Sequence, residues 1–198
     1  FNEDLAYTMQ EYRHKICEYT HMPVQSGNTE VLARMNRGYT REQYLEKIAM
    51  MKRIIPGSVF STDIIVGFPG ETEEQFQDTL SLLDVLDFEN VYAFSYSPRP
   101  FTKASKFTEQ ITEEEKSRRL NELIKKHRAQ AYEFSKQYIG RTLDVLVETY
   151  DPETGSMSGR STQNKIVHFE GSKDLVGKTW PLKITESFLQ TLRGVIVS

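Results

Sequence analysis

The chain has 198 residues, of which 38% are hydrophobic and 27% are charged, with a formal net charge of −3 and a mean hydropathy of −0.54. No run approaches the roughly 20 uncharged apolar residues that a membrane-spanning helix needs, so the composition excludes such a helix. Residues 1–10 lack the pattern of a signal peptide. The near-neutral charge gives no overall electrostatic argument for a nucleic-acid partner. One or two globular domains are expected.

The sequence contains a single cysteine, Cys17. One cysteine excludes an internal disulfide framework. It also means that these residues alone cannot supply the three or four thiolates of a zinc site or an iron–sulfur cluster. We expect Cys17 to lie on a strand as a buried apolar thiol.

The first part of the chain alternates predicted strands and helices. A helix is predicted over residues 4–12, and strands over residues 16–24, 59–66 and 91–96, which are rich in β-branched and aromatic residues. Each later helix begins where Thr is followed three residues on by Gln or Glu, the pattern of a capping box. The three pairs are Thr40 with Gln43, Thr72 with Gln75, and Thr112 with Glu115. This alternation predicts βαβ units in a parallel sheet, and three units are too few to close an eight-stranded barrel.

The pattern changes after about Lys136. Five short predicted strands follow, separated by Asp, Pro and Gly turn residues, at residues 143–149, 155–162, 165–169, 178–184 and 191–197. They predict a small antiparallel barrel of the oligonucleotide-binding type. We therefore expect two domains, residues 1–136 and residues 137–198.

Candidate binding residues cluster where the predicted strands end, because ligands of parallel sheets bind at the carboxyl ends of the strands. After the second strand, Gly67 and Gly70 are expected to let a ligand approach the backbone, and Glu71 to orient the loop or bind a ligand hydroxyl. The alternative interpretation is an ordinary tight turn that precedes a capped helix.

Four ordered segments near these strand ends carry a resemblance to a known family, and a fifth lies in the predicted barrel. They are HMPVQSGN, VLARMNRGYTREQY, STDIIVGFPGETEEQF, FSYSPRP and MSGRSTQNKIVHFEG. In this order they resemble the radical S-adenosylmethionine (SAM) methylthiotransferases, and most of all the MiaB-type branch that modifies isopentenyladenosine beside the tRNA anticodon.

The resemblance implies an α/β fold, the C-terminal half of a partial (βα)6 TIM-like radical SAM barrel, followed by a small all-β OB-like TRAM barrel. It implies a cytoplasmic enzyme that uses S-adenosylmethionine and two 4Fe-4S clusters, none of whose cysteine ligands lie in this chain. The chain by itself is therefore expected to be inactive and to contain no catalytic residue of its own. The expected partners are tRNA, through its anticodon stem-loop, and S-adenosylmethionine.

The resemblance also implies roles for individual residues. Residues expected to bind S-adenosylmethionine are Gln25, Ser26, Arg37, Ile65, Gly67, Glu71 and Tyr96. Residues expected to bind RNA are Arg99, Arg160, Asn164 and Lys165. The simpler alternatives are that Arg37 is a surface cation of a helix and that Tyr96 fills the barrel interior. His21 is expected to be a hydrogen-bonded residue at a strand end rather than a base.

Other residues have two interpretations. Trp180 and Phe169 are candidates for stacking on RNA bases, with core packing as the alternative. A second basic group on the third helix can face RNA or can simply complement the helix dipole, and the second interpretation is favoured. It consists of Lys116, Arg118, Arg119, Lys125, Lys126 and Arg128.

Two alternatives to this function stay open. One is a non-catalytic RNA-binding protein that uses only its TRAM domain. The other is a methylthiotransferase with a different substrate. One that acts on threonylcarbamoyladenosine in tRNA has a different TRAM pattern, and one that acts on a ribosomal protein is disfavoured by Arg99 and the segment GRSTQNK. The sequence departs from the family at Phe101 and Lys103, where Gly and Pro are common, so the loop after the third strand is expected to differ in shape.

Overall fold

The computed structural model describes residues 1–197, which divide into two compact units. The first unit comprises residues 1–12 and 20–128, and the second comprises residues 13–19 and the chain from Ala129 onward. None of the described helices is long and apolar enough to cross a membrane.

Five α-helices and eight β-strands make up the described chain. The helices are α1 (Glu3–Glu11), α2 (Thr29–Arg34), α3 (Arg41–Ile54), α4 (Glu73–Val85) and α5 (Glu113–Lys136). Three strands form a first sheet: β1 (Tyr19–His21), β2 (Val59–Val66) and β3 (Phe88–Ser95). The other five are β4 (Thr142–Tyr150), β5 (Ser156–Ser161), β6 (Ile166–Glu170), β7 (Thr179–Ser187) and β8 (Thr191–Ile196).

The first sheet has the order β1-β2-β3, and β2 pairs in parallel with β3. Alternate residues of β2, among them Phe60, Ile64 and Val66, join buried side chains of the helices in one apolar core. The opposite face carries Ile65 beside the exposed Phe94 of β3. One face of this sheet is therefore open, and we call it the inner face.

The helix starts follow the predicted capping pattern. Thr40 and Thr72 each accept a hydrogen bond from the backbone N–H three residues later, and the Gln side chain there bonds back to the cap, so both capping boxes are confirmed. At α5 only half of the box forms: Thr112 accepts from the N–H of Glu115 at 3.3 Å, while the Glu115 carboxylate turns to arginines of its own helix.

The first strand is shorter than predicted, and Cys17 is exposed and lies outside it. The prediction of a buried Cys17 on a strand is therefore wrong. Pairing stops early because Pro23 has no N–H, the N–H of Val24 bonds to the Thr62 hydroxyl at 2.9 Å, and Gln25 has a φ of +72°. In contrast, β3 begins earlier than predicted, at the buried Phe88.

Strands β4 to β8 form a closed barrel in the order β4-β5-β6-β8-β7, around a core of alternating apolar side chains. The prediction of a wholly antiparallel barrel is wrong at one pair, because β6 and β8 run parallel. The reason is geometric: strand direction cannot alternate around a closed ring with an odd number of members. This barrel leaves no unpaired strand edge between its members.

Candidate functional site

Three loops lie at the carboxyl ends of β1, β2 and β3, and backbone hydrogen bonds tie them together. The backbone N–H of Gln25 donates to the carbonyl of Asp63, and the Gln25 carbonyl accepts from the N–H of Ile65, both at 2.9 Å. On the other side, the N–H of Tyr96 donates to the Val66 carbonyl at 2.9 Å. These bonds place residues 22–28, 67–72 and 96–100 along one rim.

Glu71 orders the loop that follows β2. Its carboxylate accepts a hydrogen bond from the backbone N–H of Gly67 at 2.7 Å and from the guanidinium of Arg119 at 2.9 Å. Arg119 also donates to the Glu71 carbonyl at 3.0 Å. Both side chains are buried, so this is a buried ion pair with several additional hydrogen bonds. The role that the geometry gives Glu71 is to orient the loop.

Burial raises the pKa of the Glu71 carboxyl, and the hydrogen bonds from Gly67 and Arg119 oppose this shift. One carboxylate oxygen, Oε1, is buried and has no hydrogen-bond partner among the described residues. Removal of Arg119 would therefore leave a buried carboxyl with only the Gly67 N–H.

The two glycines of this loop do not leave space for a ligand at their Cα atoms. A Cβ placed on Gly67 would lie 2.5 Å from Cγ of Lys116, and one placed on Gly70 would lie 2.6 Å from a guanidinium nitrogen of Arg34. Both have positive φ, which glycine adopts readily. Side chains of the protein itself fill the space that is predicted from the sequence to hold a ligand.

Tyr96 directly follows β3 and contacts the loop that follows β2. Its ring packs edge to face on Phe68 with 5.1 Å between centroids, and the ammonium of Lys116 lies 5.6 Å from its centroid. The hydroxyl is buried and has no hydrogen-bond partner in the described part of the chain. Lys116 is also buried and is paired with Glu113 at 2.8 Å.

The other residues predicted to bind the cofactor, Gln25, Ser26 and Arg37, differ in exposure to solvent. Gln25 is buried at the rim, as is Ser26, whose hydroxyl accepts from the N–H of Asn28 at 3.2 Å and lies 3.3 Å from that of Thr79. The hydroxyl of Ser26 therefore faces its own fold. Arg37 is exposed in the segment after α2, not on a helix.

Arg34, which is not among the predicted site residues, is the arginine that reaches the rim. It donates to the Gly70 carbonyl at 3.0 Å and to Gln75 at 2.9 Å. From the sequence, Arg119 is predicted only as part of a basic group on the third helix. Neither residue lies in the loops themselves, and both were missed because only the tertiary fold brings α2 and α5 to this rim.

A polar cluster lies on the inner face. Nδ1 of His21 is 2.8 Å from the Ser61 hydroxyl, its Nε2 is 3.4 Å from Asp63, and its ring packs edge to face on Tyr92. The structure confirms that His21 is a hydrogen-bonded residue at a strand end. Ser61 is fully buried, so its hydroxyl is not accessible as a nucleophile.

The basic residues of α5 are mostly engaged within the protein. Lys116 and Arg119 are buried, Arg118 pairs with three glutamates, and Lys126 lies 2.7 Å from Asp84. These contacts speak against the RNA-facing interpretation. They are ion pairs and packing within the protein, whereas the favoured interpretation is that the cations complement the helix dipole.

The predicted RNA-binding residues differ in accessibility. Arg99 and Arg160 are exposed, and Arg160 lies 3.4 Å from Glu148 and donates to the side-chain oxygen of Asn164 at 3.0 Å. Lys165 is only 4% exposed, and its ammonium lies 5.9 Å from the centroid of Tyr138. The interpretation of Lys165 as a direct phosphate contact is therefore corrected, because its side chain is inside.

Other polar residues of the connection between β5 and β6 bind residues within the second unit. Gln163 donates to the carboxylate of Glu18, and the hydroxyl of Thr162 lies 3.4 Å from the same group. Of the two stacking candidates, Phe169 is buried in the barrel core and Trp180 is partly buried against it. Core packing thus accounts for both aromatic side chains.

Comparison with known proteins agrees with this arrangement. The sequence profile of the radical SAM superfamily matches residues 1–83, and that of the TRAM domain matches residues 136–197. A tRNA-2-methylthio-N(6)-dimethylallyladenosine synthase from Bdellovibrio bacteriovorus is 56% identical over 197 residues, which is 100% of this chain and 44% of that protein.

Proteins of the same name from other bacteria are also similar. The one from Carboxydothermus hydrogenoformans is 44% identical over 98% of this chain and 44% of its own length. That from Pelotomaculum thermopropionicum is 43% identical over 92% of the chain and 41% of its own length. The chain spans less than half the length of these relatives. It belongs to the radical SAM methylthiotransferase family, and carries part of the radical SAM domain together with a TRAM domain.

Proposed function

We propose that the protein to which this chain belongs is a tRNA methylthiotransferase that adds a methylthio group to C2 of N6-isopentenyladenosine next to the anticodon. The observation that carries the proposal is the 56% identity with a synthase of that name across the whole chain. Within this proposal, residues 1–136 form the second half of the radical SAM barrel and residues 137–198 the TRAM domain.

We propose that S-adenosylmethionine binds along the rim, at the open inner face. Ile65 is half-buried there, Gln25 borders it, and the buried Tyr96 hydroxyl lacks a partner among the described residues. We assign Ile65 and the ring of Tyr96, which are both partly exposed, to direct contact with the cofactor, and the buried Gln25 to the shape of the rim. When bound, S-adenosylmethionine supplies the methyl group and the radical chemistry that removes a hydrogen atom from the adenine ring.

The remaining predicted residues act on the loops around the cofactor. Gly67 and Glu71 hold the second loop through the hydrogen bond that the Gly67 N–H donates to the Glu71 carboxylate, and Ser26 holds the first loop through its contact with Thr79. Arg37 is exposed and is proposed to pair with the carboxylate of the cofactor. We therefore propose that these residues bind and orient the cofactor.

The two 4Fe-4S clusters that this chemistry requires must take their ligands from other residues of the protein. The chain has one cysteine, which is exposed. Within its described residues, no group of three or more His, Cys, Asp or Glu side chains is arranged to hold a metal ion.

We propose that tRNA contacts Arg99 and the Arg160–Asn164 pair, which lie at the surface. Lys165 is buried in the second unit, so we do not propose that it touches RNA. Since the substrate is tRNA, the proposed location is the cytoplasm.

The proposal is tested by mass spectrometry of tRNA nucleosides from a strain in which the gene is deleted. We expect 2-methylthio-N6-isopentenyladenosine to disappear, N6-isopentenyladenosine to accumulate, and the complete gene to restore the product. An unchanged nucleoside profile would contradict the proposal. Loss of the methylthio form of threonylcarbamoyladenosine, or of a ribosomal-protein modification, would instead identify one of the alternative substrates.

A further inference from the structure

The loop that follows β3 displays an aromatic ring to solvent. We call residues 97–106 the Phe101 loop. The side chain of Phe101 at its apex is fully exposed, at 103% of the reference value, and its φ is +69°. The N–H of Thr102 donates to the Arg99 carbonyl at 3.3 Å, which closes a four-residue turn. Pro at the second position and a positive φ at the third are typical of a type II turn.

Glycine is the preferred residue at this third position, because an L side chain is disfavoured in the left-handed region. A phenylalanine there is both conformationally unfavourable and without burial, so neither backbone preference nor the hydrophobic effect accounts for it. A strained and solvent-exposed aromatic residue is the kind of position that function explains.

The ring is presented by an ordered loop. Aromatic rings next to both ends of the loop pack edge to face on Phe68. The ring centroid of Phe68 lies 5.1 Å from that of Tyr96 and 6.2 Å from that of Phe107. Inside the loop, the hydroxyl of Ser105 donates to the Thr102 carbonyl at 2.7 Å. These contacts hold both ends of the loop, so a ligand would not need to order it first.

The charge around the ring has one sign. Residues 97–108 contain three cations and no carboxylate. The cations, Arg99, Lys103 and Lys106, are all exposed, and in the described part of the chain none forms an ion pair. An aromatic ring among unpaired cations is the combination that binds single-stranded nucleic acid, through base stacking and phosphate contacts.

We propose that the Phe101 loop is an RNA-binding element in which the ring of Phe101 stacks on an unpaired base and the three cations contact the flanking phosphates. The inference rests on the proposed function only in taking RNA as the substrate. A protein partner fits less well: a stable protein interface buries on the order of 1,000 Å² or more, and one ring flanked by Pro100, Thr102 and Lys103 offers no such apolar surface.

The test uses the complete, cluster-loaded protein and fluorescence anisotropy with two RNA probes, a hairpin with an unpaired loop and a blunt duplex. We expect Phe101→Gly to weaken hairpin binding about tenfold, as loss of one stacked base does, with little effect on the duplex. Because glycine relieves the positive φ, the thermal midpoint of this variant should be unchanged or higher. Phe101→Tyr, which keeps a ring, should bind the hairpin nearly as the wild type does.

The control is Tyr7→Ala, which removes a 56% exposed ring from α1 and should leave hairpin affinity unchanged. Lys103→Gln should reduce the salt dependence of binding. Wild-type hairpin affinity in Phe101→Gly, or equal losses on hairpin and duplex, would overturn the proposal. These measurements involve no turnover, so a protein that binds the hairpin through Phe101 but leaves tRNA unmodified would contradict the proposed function alone.

Discussion

Two buried cations of α5 act on individual residues of the loop after β2. Arg119 holds the Glu71 carboxylate, and the aliphatic stem of Lys116 occupies the space beside Gly67. The hydrogen bond from Gly67 to Glu71 then fixes the start of the loop. The glycine is required here by its φ of +72° and by the close approach of Lys116.

At this scale we predict that Gly67→Ala destabilises the protein by about 1 to 2 kcal/mol, from a positive φ plus displacement of Lys116. S-adenosylmethionine should also bind more weakly, because the loop shifts. Urea unfolding of the complete protein and a cofactor titration measure the two effects.

Gly38→Ala is the matched control, since Gly38 has no positive φ and a Cβ there would meet nothing within 4 Å. Lys116→Ala should recover part of the loss in the Gly67→Ala background but destabilise the wild type. If Gly67→Ala were as stable as Gly38→Ala, the contact with Lys116 would not be tight.

Residue roles were the least predictable part of the site. That Glu71 orders a loop was one of two expectations from sequence, but its partner Arg119 lies 48 residues away. Lys165 and Phe169 have the chemistry of RNA-binding residues, yet both are buried. Residue type alone does not determine which way a strand side chain points, since a shift of one position moves it to the other face.

At the scale of elements, the start of α5 is an electrostatic network. The Glu115 carboxylate accepts hydrogen bonds from Arg118 and from Arg119, the latter at 2.7 Å. The hydrogen bond from Arg118, with that from Arg119, lowers the pKa of Glu115 to about 2. The carboxylate therefore replaces the second half of a capping box with contacts along its own helix.

The sign of the pH effect follows from this lowered pKa. The stabilising contribution of Glu115 is complete above its unfolded pKa of 4.5 and is lost as pH falls toward about 2. We predict that Glu115→Gln lowers the free energy of unfolding at neutral pH by roughly 0.5 kcal/mol, since the side chains of Glu115 and Arg118 are partly exposed. The stability of the Glu115→Gln variant should also fall less steeply than that of the wild type between about pH 5 and about pH 2.

Denaturant unfolding across this pH range measures both effects. Glu114→Gln is the control, because Glu114 lies in the same first turn of α5 and forms no ion pair among the described residues. Parallel pH profiles for Glu115→Gln and the wild type would show that the contacts of Glu115 do not stabilise the helix.

Elements were well predicted where local chemistry specifies them. The Thr caps of α3 and α4 and the five barrel strands follow from residues close in sequence. The short length of β1 does not follow from nearby residues, because its pairing is interrupted by a contact between Val24 and the distant Thr62. The parallel β6–β8 pair also depends on barrel closure and not on either strand.

At the scale of the whole molecule, the number of cysteines determines whether the chain can ligate an iron–sulfur cluster. We predict that the 198-residue chain, reconstituted with iron and sulfide, develops no 4Fe-4S absorption, because one exposed thiol cannot ligate a cluster. The complete protein should develop it under the same conditions. Cys17→Ser should not change the spectrum of either, and a stable cluster in the isolated chain would contradict the expected ligand set.

The sequence by itself determined the alternation of strands and helices, the barrel that follows, the two full capping boxes and the family resemblance. These depend on local periodicity, turn chemistry and ordered motifs. Only the tertiary structure decided that Lys116, Arg119 and Arg34 fill the loop after β2, that Lys165 is buried and that Phe101 is displayed. Such outcomes depend on which distant elements pack together and on the backbone angles that their contacts impose.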